Sequence, residues 1–348
     1  MPGAAPTPRS PWWSKLLVWT GALVMLVAGG SAAMVQVSIN KLNDAVQQED
    51  ILGDNRKDID TANLEGPFNF LVLGVDEQGG GMRSDTMMIM HINKELTEAS
   101  MISLPRDLRV EIADCGYGQP CLDKLNAASS ISDDWEVNEA NVIETINNLT
   151  GIEFHGAVKA NFDGFLDLID IVGEIELCPW HEITSIHGNN RYFPEGCNMY
   201  GKDEALDLVR QRKGWSWDED WASGRGGDFG RQAMQQQAIM GILKAAKDQG
   251  FHKNPGKAVE LLNSFGDKLT IDIGGADLTE FIVAIRGIDP EKMHKIQVPS
   301  EPQTIDNVSY VVMNPQKGQD LAADDLWQAV ENDTLQDWSA DNPDWAKA

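Results

Sequence analysis

The sequence is poor in positive charge. Its 348 residues include 28 lysines and arginines against 54 aspartates and glutamates, which gives a formal net charge of −26. Proteins that bind nucleic acids present a basic face to the phosphate backbone, and no basic run occurs along this chain. The composition therefore argues against nucleic acid as a partner, while the hydrophobic fraction of 42% is ample for a core.

Charge is entirely missing from residues 16–40. A helix that crosses a bilayer needs roughly 20 mostly apolar residues, so this segment predicts a transmembrane anchor. Arg9 and Lys15 precede it and no acidic residue does, which predicts that residues 1–15 lie in the cytoplasm and that everything after Lys41 lies outside the cell membrane. The alternative is a cleavable signal peptide with a small-residue site at 31–33, although the span is long for one.

Cysteine is also scarce. The four cysteines form two local pairs in the sequence, Cys115 with Cys121 and Cys178 with Cys197. Four cysteines allow three connectivities, and pairing of nearest neighbours is the simplest in a compartment where disulfides form. A structural zinc site is the alternative, but no Cys-x-x-Cys occurs and the two histidines between Cys178 and Cys197 lack finger-like spacing.

Strand-like and helix-like segments alternate over residues 67–332, which predicts one layered α/β domain. Residues 41–66 are polar and predict a stalk, and the acidic residues 333–348 contain few aliphatics and predict a disordered tail. The predicted strands are 68–75, 86–92, 99–104, 108–112, 157–160, 175–178, 268–273, 295–298 and 308–313, and the predicted helices are 137–149, 162–172, 202–210, 232–247, 254–265, 278–286 and 322–330.

Five of the eleven arginines lie in short polar motifs. The guanidinium group is a planar, permanently charged fork that matches phosphate oxygens in pairs. Asp76 and Asp85 lie at the ends of neighbouring predicted strands, where their carboxylates could share one Mg²⁺ ion. The set predicts a diphosphate site. The motifs are Arg83-Ser84-Asp85-Thr86, Pro105-Arg106-Asp107, Arg210-Gln211-Arg212 and Gly227-Asp228-Phe229-Gly230-Arg231.

Each of these motifs also has an ordinary structural explanation. Asp228 could be the N-cap of the following helix, and Arg210 and Arg212 could simply be basic residues at a helix C-terminus. Lys124 and Asn126 form a weak motif on their own. The tryptophans at 215, 217 and 221 could line a mouth for sugar or lipid, or could pack as a local cluster.

In this order and after a single apolar span, the motifs resemble those of the LytR-CpsA-Psr family. No one motif is decisive, but the ordered set is specific and covers residues 66–250 well. The segments that carry the resemblance are LVLGVD (71–76), RSDT (83–86), SLPRD (103–107), KLNAA (124–128), GKDEALDLVRQR (201–212) and GDFGR followed by Gln-Gln (227–236).

The resemblance implies an extracytoplasmic α/β/α domain with a central mixed sheet. Asp76 and Asp85 match metal-binding positions for Mg²⁺ or Mn²⁺. The diphosphate-binding arginines are matched by Arg83, Arg106, Arg210, Arg212 and Arg231, and further polar positions by Asp107, Lys124, Asn126, Asp228 and Gln235. Two positions depart from the pattern: Gln78 and Met234 stand where many relatives have arginine. The four cysteines suggest an actinobacterial-type branch.

The resemblance further implies an enzyme that moves a glycopolymer from a polyprenyl diphosphate carrier to a peptidoglycan hydroxyl. Arg83, Arg106, Asp107 and Asp228 are then the catalytic candidates, with either aspartate able to orient or deprotonate the acceptor. Two alternatives remain: a diphosphatase that acts on lipid-linked intermediates, and a non-enzymatic, membrane-anchored protein that binds polyprenyl phosphate. We expect the catalytic domain outside the cell membrane, held by the N-terminal helix.

Overall fold

The protein was analysed as a computed structural model, which describes residues 50–60, 64–78, 81–187, 190–215, 227–250, 268–274 and 276–347. Several predicted features lie outside these residues: the span at 16–40, residues 41–49 and 61–63 of the stalk, the helix at 254–265, and Trp217 and Trp221. Among the helices that are described, none combines the length and the apolar character needed to cross a membrane.

The strands and helices follow one another closely along the chain. The strands are β1 Phe68–Gln78, β2 Gly81–Ile92, β3 Ala99–Leu104, β4 Arg109–Ile112, β5 Cys121–Lys124, β6 Gly156–Asn161, β7 Ile175–Leu177, β8 Ile183–Thr184, β9 Tyr192–Phe193, β10 Asn198–Tyr200, β11 Leu269–Asp272, β12 His294–Gln297, β13 Glu301–Ile305, β14 Val308–Val312 and β15 Ala346–Lys347. The helices are α1 Trp135–Thr150, α2 Phe162–Val172, α3 Lys202–Arg210, α4 Gly227–Asp248, α5 Leu278–Ala284, α6 Gln319–Glu331 and α7 Leu335–Asp341.

A seven-stranded sheet forms the centre of the domain, in the order β11-β6-β1-β2-β3-β12-β15. Strand β1 runs parallel to β6 and antiparallel to β2, and β3 runs parallel to β12 and antiparallel to β2. The sheet is therefore mixed, as predicted. The C-terminal ends of β1 and β3 lie at the same end of the sheet, because both strands run antiparallel to β2, which lies between them. In the part of the chain that the structure describes, four two-stranded pairs lie outside this sheet.

Helices cover both faces of the sheet, which confirms the predicted α/β layers. Side chains on one face, such as Phe70 and Met90, pack with α2, α3, α4 and α5 in one apolar cluster. Those on the other face, such as Leu71 and Ile89, pack with α1, α6 and α7. Strands β1, β2, β3 and β6 contribute to both clusters because successive side chains point to opposite faces.

Both disulfides form as predicted. Cys115 pairs with Cys121 in the loop between β4 and β5, and Cys178 pairs with Cys197. Since each of the four cysteines takes part in one of these two disulfides, none offers a thiolate ligand for zinc.

The prediction of a disordered tail at 333–348 is wrong. Residues 335–341 form α7, and β15 pairs with β12 at the edge of the central sheet. Leu335 and Trp338 are buried in the cluster on that face. A few large side chains supply enough apolar burial to order a segment whose average composition is polar.

The stalk prediction for 41–66 is wrong for residues 50–59. Ile51, Leu52 and Ile59 are buried against the domain, and the Leu52 N–H donates to the Asp272 carboxylate at 3.2 Å. The backbone of Arg56 forms an isolated parallel β-bridge with that of Phe154. This segment therefore packs at the end of the sheet where β1 begins.

A buried polar network at that same end predicts acid sensitivity. The Asn69 N–H donates to His155 Nδ1 at 3.1 Å, and burial, aided by the charge of Lys57, lowers the pKa of His155 from 6.5 to about 4. Burial opposes the charged form of Asp333, but hydrogen bonds from His91 and the Lys94 N–H outweigh it and lower that pKa. In both cases the pKa is lower in the folded protein than in the unfolded chain, so the unfolded chain takes up more protons than the folded protein as the pH falls.

We therefore expect the free energy of unfolding to fall as the pH drops from about 6.5 to about 4, by on the order of 2 kcal/mol for His155. Urea unfolding of the wild-type protein and of a His155→Gln variant across this range measures it. The variant should lose less stability on acidification because it removes the titrating ring. Equal slopes for the two proteins would contradict the assignment.

Candidate active site

An irregularity in the β1–β2 ladder sets the position of Asp85. Gly74 pairs with Thr86, but the next residue, Val75, pairs with Ser84. Asp85 is therefore the extra residue of a β-bulge and has no partner on β1. Bulges re-aim a side chain relative to the regular alternation of a strand, and here the carboxylate lies beside the end of β3.

Glycine is required opposite this bulge. A Cβ atom on Gly74 would lie 2.8 Å from Thr86 Cβ, closer than real side chains approach. The glycine of the LVLGVD motif thus gives the bulged strand the room it needs. Beyond the bulge, Asp76 pairs with Arg83, which brings the two predicted metal-binding aspartates to the same end of the sheet.

Three chain segments bring guanidinium groups to Asp85. Arg106, after β3, places Nη1 2.5 Å from Asp85 Oδ1. Arg212, after α3, places Nη2 3.6 Å from Asp85 Oδ2. Arg231, in the first turns of α4, donates from Nη2 to the Asp85 carbonyl oxygen at 3.2 Å. Residues far apart in sequence thus meet at one acidic residue.

Asp228 is part of this cluster and is not an N-cap, because α4 begins one residue earlier, at Gly227. Its Oδ1 lies 3.0 Å from Arg231 Nη2 and 3.9 Å from both Arg106 Nε and Arg212 Nε. Burial lowers the pKa of the Arg231 guanidinium, and Asp228 partly offsets the effect. Since arginine stays protonated in proteins, Arg231 is a fixed positive charge beneath the site.

Asp107 and Lys124 extend the cluster on the side of α1. Lys124 Nζ lies 2.8 Å from Asp107 Oδ1, and Arg106 Nε lies 3.7 Å from Asp107 Oδ2. Lys124 also lies over the Tyr310 ring, 5.7 Å from its centroid. Tyr310 belongs to the β13–β14 hairpin, and no local motif in the sequence indicated that this hairpin reaches the site.

The other predicted residues surround the cluster. Arg83 is exposed on β2, and Arg210 is the last residue of α3. Asn126 donates its backbone N–H to the Arg106 carbonyl at 2.9 Å, and the side-chain amide of Gln235 donates to the Val209 carbonyl at 3.3 Å. The structure thus gives Asn126 and Gln235 contacts with the protein backbone.

Two further sequence observations have structural counterparts. Met234 is fully buried in the apolar cluster beneath α4, so this departure from the family pattern forms part of the core.

Trp215 is buried and stacks on Trp180 with ring centroids 4.4 Å apart. For this one tryptophan of the three, local packing is the correct explanation.

An apolar cavity of about 110 Å³ lies next to the cluster, between the sheet and helices α2, α3 and α4. Its wall includes Val75 and Thr86 beside the bulge, and Gln235, which lies one helical turn after Arg231. Further side chains in the wall are Val72, Met88, Val158, Phe165, Leu168 and Ile239. A charged cluster and an apolar cavity thus share one end of the sheet.

The cluster has unsatisfied buried donors. Arg106 Nε and Arg231 Nε are buried and have no hydrogen-bond acceptor among the described residues. Buried polar atoms without partners are rare in native proteins. Both nitrogens belong to guanidinium groups, whose geometry suits hydrogen bonding to phosphate oxygens. The arrangement fits a bound anion.

The fold and this cluster define an α/β/α protein in which arginines and carboxylates gather beside an apolar cavity. The LytR_cpsA_psr family model matches residues 34–325, and the chain belongs to that family.

Relatives and solved structures agree with this membership. The chain is 29% identical over 262 residues to the polyisoprenyl-teichoic acid–peptidoglycan teichoic acid transferase TagU of Bacillus mycoides, covering 74% of this chain and 76% of the relative. The TagU of Bacillus subtilis is 28% identical, with 72% of each chain covered.

Among solved structures, TagV of Bacillus subtilis has a TM-score of 0.56 at 22% identity and covers 76% of this chain and 97% of its own. TagT bound to LIIa-WTA has a TM-score of 0.56 at 21% identity and covers 81% and 95%. At these identities the likeness concerns the fold.

Proposed function

We propose that this protein transfers a glycopolymer from a polyprenyl diphosphate carrier to a hydroxyl group of peptidoglycan. The observation that carries the proposal is the adjacency of the arginine cluster and the apolar cavity. A lipid diphosphate has a charged group and an apolar chain joined covalently, and these would match the cluster and the cavity. Arg231 and Gln235 lie on one face of α4 because they are four residues apart, and they link the cluster to the cavity wall.

The relatives support the choice of substrates. The transferases that resemble this chain are named for polyisoprenyl-linked teichoic acid as donor and peptidoglycan as acceptor. For this chain we propose the same classes of donor and acceptor, with the polymer left open. Such substrates occur on the outer side of the cell membrane, which agrees with the N-terminal anchor and the orientation predicted from sequence.

The charges of the cluster favour a divalent cation as a cofactor. Its cations are Arg106, Lys124, Arg212 and Arg231, and its carboxylates are Asp85, Asp107 and Asp228. These groups carry a formal excess of one positive charge, which falls to zero when the carboxylate of Asp76 is counted, whereas a diphosphate diester carries a negative charge on each phosphate. Mg²⁺ or Mn²⁺, held by the carboxylates of Asp76 and Asp85, would supply the missing charge and polarise the phosphoryl oxygens.

The protein's own residues then account for the transfer. Arg106, Arg212 and Arg231 hold the diphosphate and stabilise the charge that develops on its oxygens. The acceptor hydroxyl attacks the phosphorus that bears the glycan, the bond from that phosphorus to the bridging oxygen breaks, and polyprenyl phosphate leaves. The hydroxyl proton passes to a carboxylate, for which Asp107 and Asp228 are the candidates.

A transfer assay with three readouts tests the proposal. The full chain is incubated with a radiolabelled, polyprenyl diphosphate-linked oligosaccharide and purified peptidoglycan, with Mg²⁺ or with EDTA. We expect label on peptidoglycan and free polyprenyl phosphate, both dependent on Mg²⁺. Polyprenyl phosphate without labelled peptidoglycan would indicate a diphosphatase instead, and lipid binding without turnover would indicate a binding protein.

A further inference from the structure

The bulge that presents Asp85 is held by a side chain that the proposed mechanism does not use. Ser129 Oγ accepts a hydrogen bond from the Ser84 N–H at 3.2 Å, and Ser129 donates its own proton to the Asn126 carbonyl at 2.8 Å. Ser84 and Ser129 are both completely buried. Ser129 is the penultimate residue of the KLNAASS segment (124–130), whose 3-10 helix spans Leu125–Ser130.

The bulge explains why this hydrogen bond matters. In a regular antiparallel ladder, Asp85 would pair with Val75, and its side chain would follow the strict alternation of the strand. A register shift of one residue turns side chains to the opposite face. The Ser84 N–H is the backbone donor adjacent to the extra residue, and the Ser129 hydroxyl gives it an acceptor inside the bulge.

The same 3-10 helix also holds the partner of Asp85. The Asn126 N–H donates to the Arg106 carbonyl, and the Leu125 N–H donates to the Leu108 carbonyl at 2.8 Å. One short segment thus fixes the strand that carries Asp85 and the turn that carries Arg106. These two side chains meet at 2.5 Å.

We propose that Ser129 is a positioning residue that fixes the Asp85 bulge of β2 and so sets the geometry of the arginine cluster. It acts through the Ser84 amide and touches neither substrate nor reacting atoms. The consequence for catalysis rests on the proposed function, whereas the consequence for the Ser84 amide does not.

The experiment compares Ser129→Ala with Ser130→Ala, an adjacent exposed serine on the same 3-10 helix. Hydrogen exchange at the Ser84 amide is measured first. We expect it to accelerate about 10-fold or more in Ser129→Ala, because the buried N–H loses its acceptor, and to stay unchanged in Ser130→Ala. In the transfer assay we expect kcat to fall about 10- to 100-fold. We expect a smaller change in KM for the lipid donor, because the substitution removes no side chain of the cavity wall.

Unchanged protection of the Ser84 amide, or an unchanged kcat, in folded Ser129→Ala would overturn the proposal. If the wild-type protein shows no transfer, the proposed function fails, and amide exchange together with calorimetric binding of inorganic diphosphate still decides the role of Ser129. If Ser129→Ala does not fold, Ser129→Cys serves in the same measurements, because a thiol has a similar shape but is a weak acceptor.

Discussion

Replacing Arg106 by alanine should reduce kcat/KM for glycan transfer about 100- to 1000-fold, the size of effect seen when a preorganised donor to a developing oxyanion is removed. Arg106 contacts Asp85 through Nη1 and approaches Asp107 and Asp228 through Nε. Its loss removes a guanidinium that three carboxylates share. The measurement is the rate at which labelled glycan appears on peptidoglycan.

Arg106→Lys should remain close to the alanine variant, because a single ammonium cannot reproduce the contacts of a planar fork. Arg56→Ala is the matched control, since Arg56 pairs with Asp272 at the opposite end of the sheet. Binding of polyprenyl phosphate should persist in Arg106→Ala through the cavity. Wild-type transfer by Arg106→Ala would refute the placement of the site.

Replacing Trp338 by alanine should lower the free energy of unfolding by about 3 kcal/mol, at the lower end of the range for a buried aromatic residue. Trp338 is 6% exposed and packs in the cluster formed with α1 and α6. The lower end is expected because its indole Nε1 is buried without a hydrogen-bond partner among the described residues. Removing that group relieves a desolvation cost.

Urea unfolding measures this effect against Asp337→Ala, a change at the preceding, exposed position of α7. The control should alter stability by less than about 1 kcal/mol. A Trp338→Ala variant as stable as the control would show that the last turns of the chain do not belong to the folded core.

The sequence predicts the central elements well because their side chains follow simple periods. Strand β3 and helices α2 and α3 have the predicted bounds. Helices α2 and α3 have apolar residues at the helical period, and a Gly follows α2 and precedes α3. Strand β3 is a short, fully buried run that ends before Pro105. Of the five predicted arginines, Arg106, Arg212 and Arg231 meet at Asp85. They do so because the end of β3, the end of α3 and the first turns of α4 converge at one end of the sheet.

The remaining features depend on contacts between residues distant in sequence. The bulge at Asp85 is fixed by Ser129, 44 positions further along the chain, and no property of the RSDT motif shows it. Tyr310 reaches Lys124 only because the β13–β14 hairpin folds back over β4. The C-terminal segment is polar on average, and its order comes from Leu335 and Trp338, which a composition average conceals.

The packing of residues 50–59 against the start of β1 determines how the domain can be presented on a surface. Strand β1 carries the chain from Phe70 to Asp76 over about 20 Å, so the arginine cluster faces away from the end where Ile51 and Leu52 are buried. If the protein were attached to a biosensor chip through a tag upstream of residue 50, the cluster would remain open to solution. Coupling through the C-terminus would instead place the matrix beside β15, a strand of the central sheet.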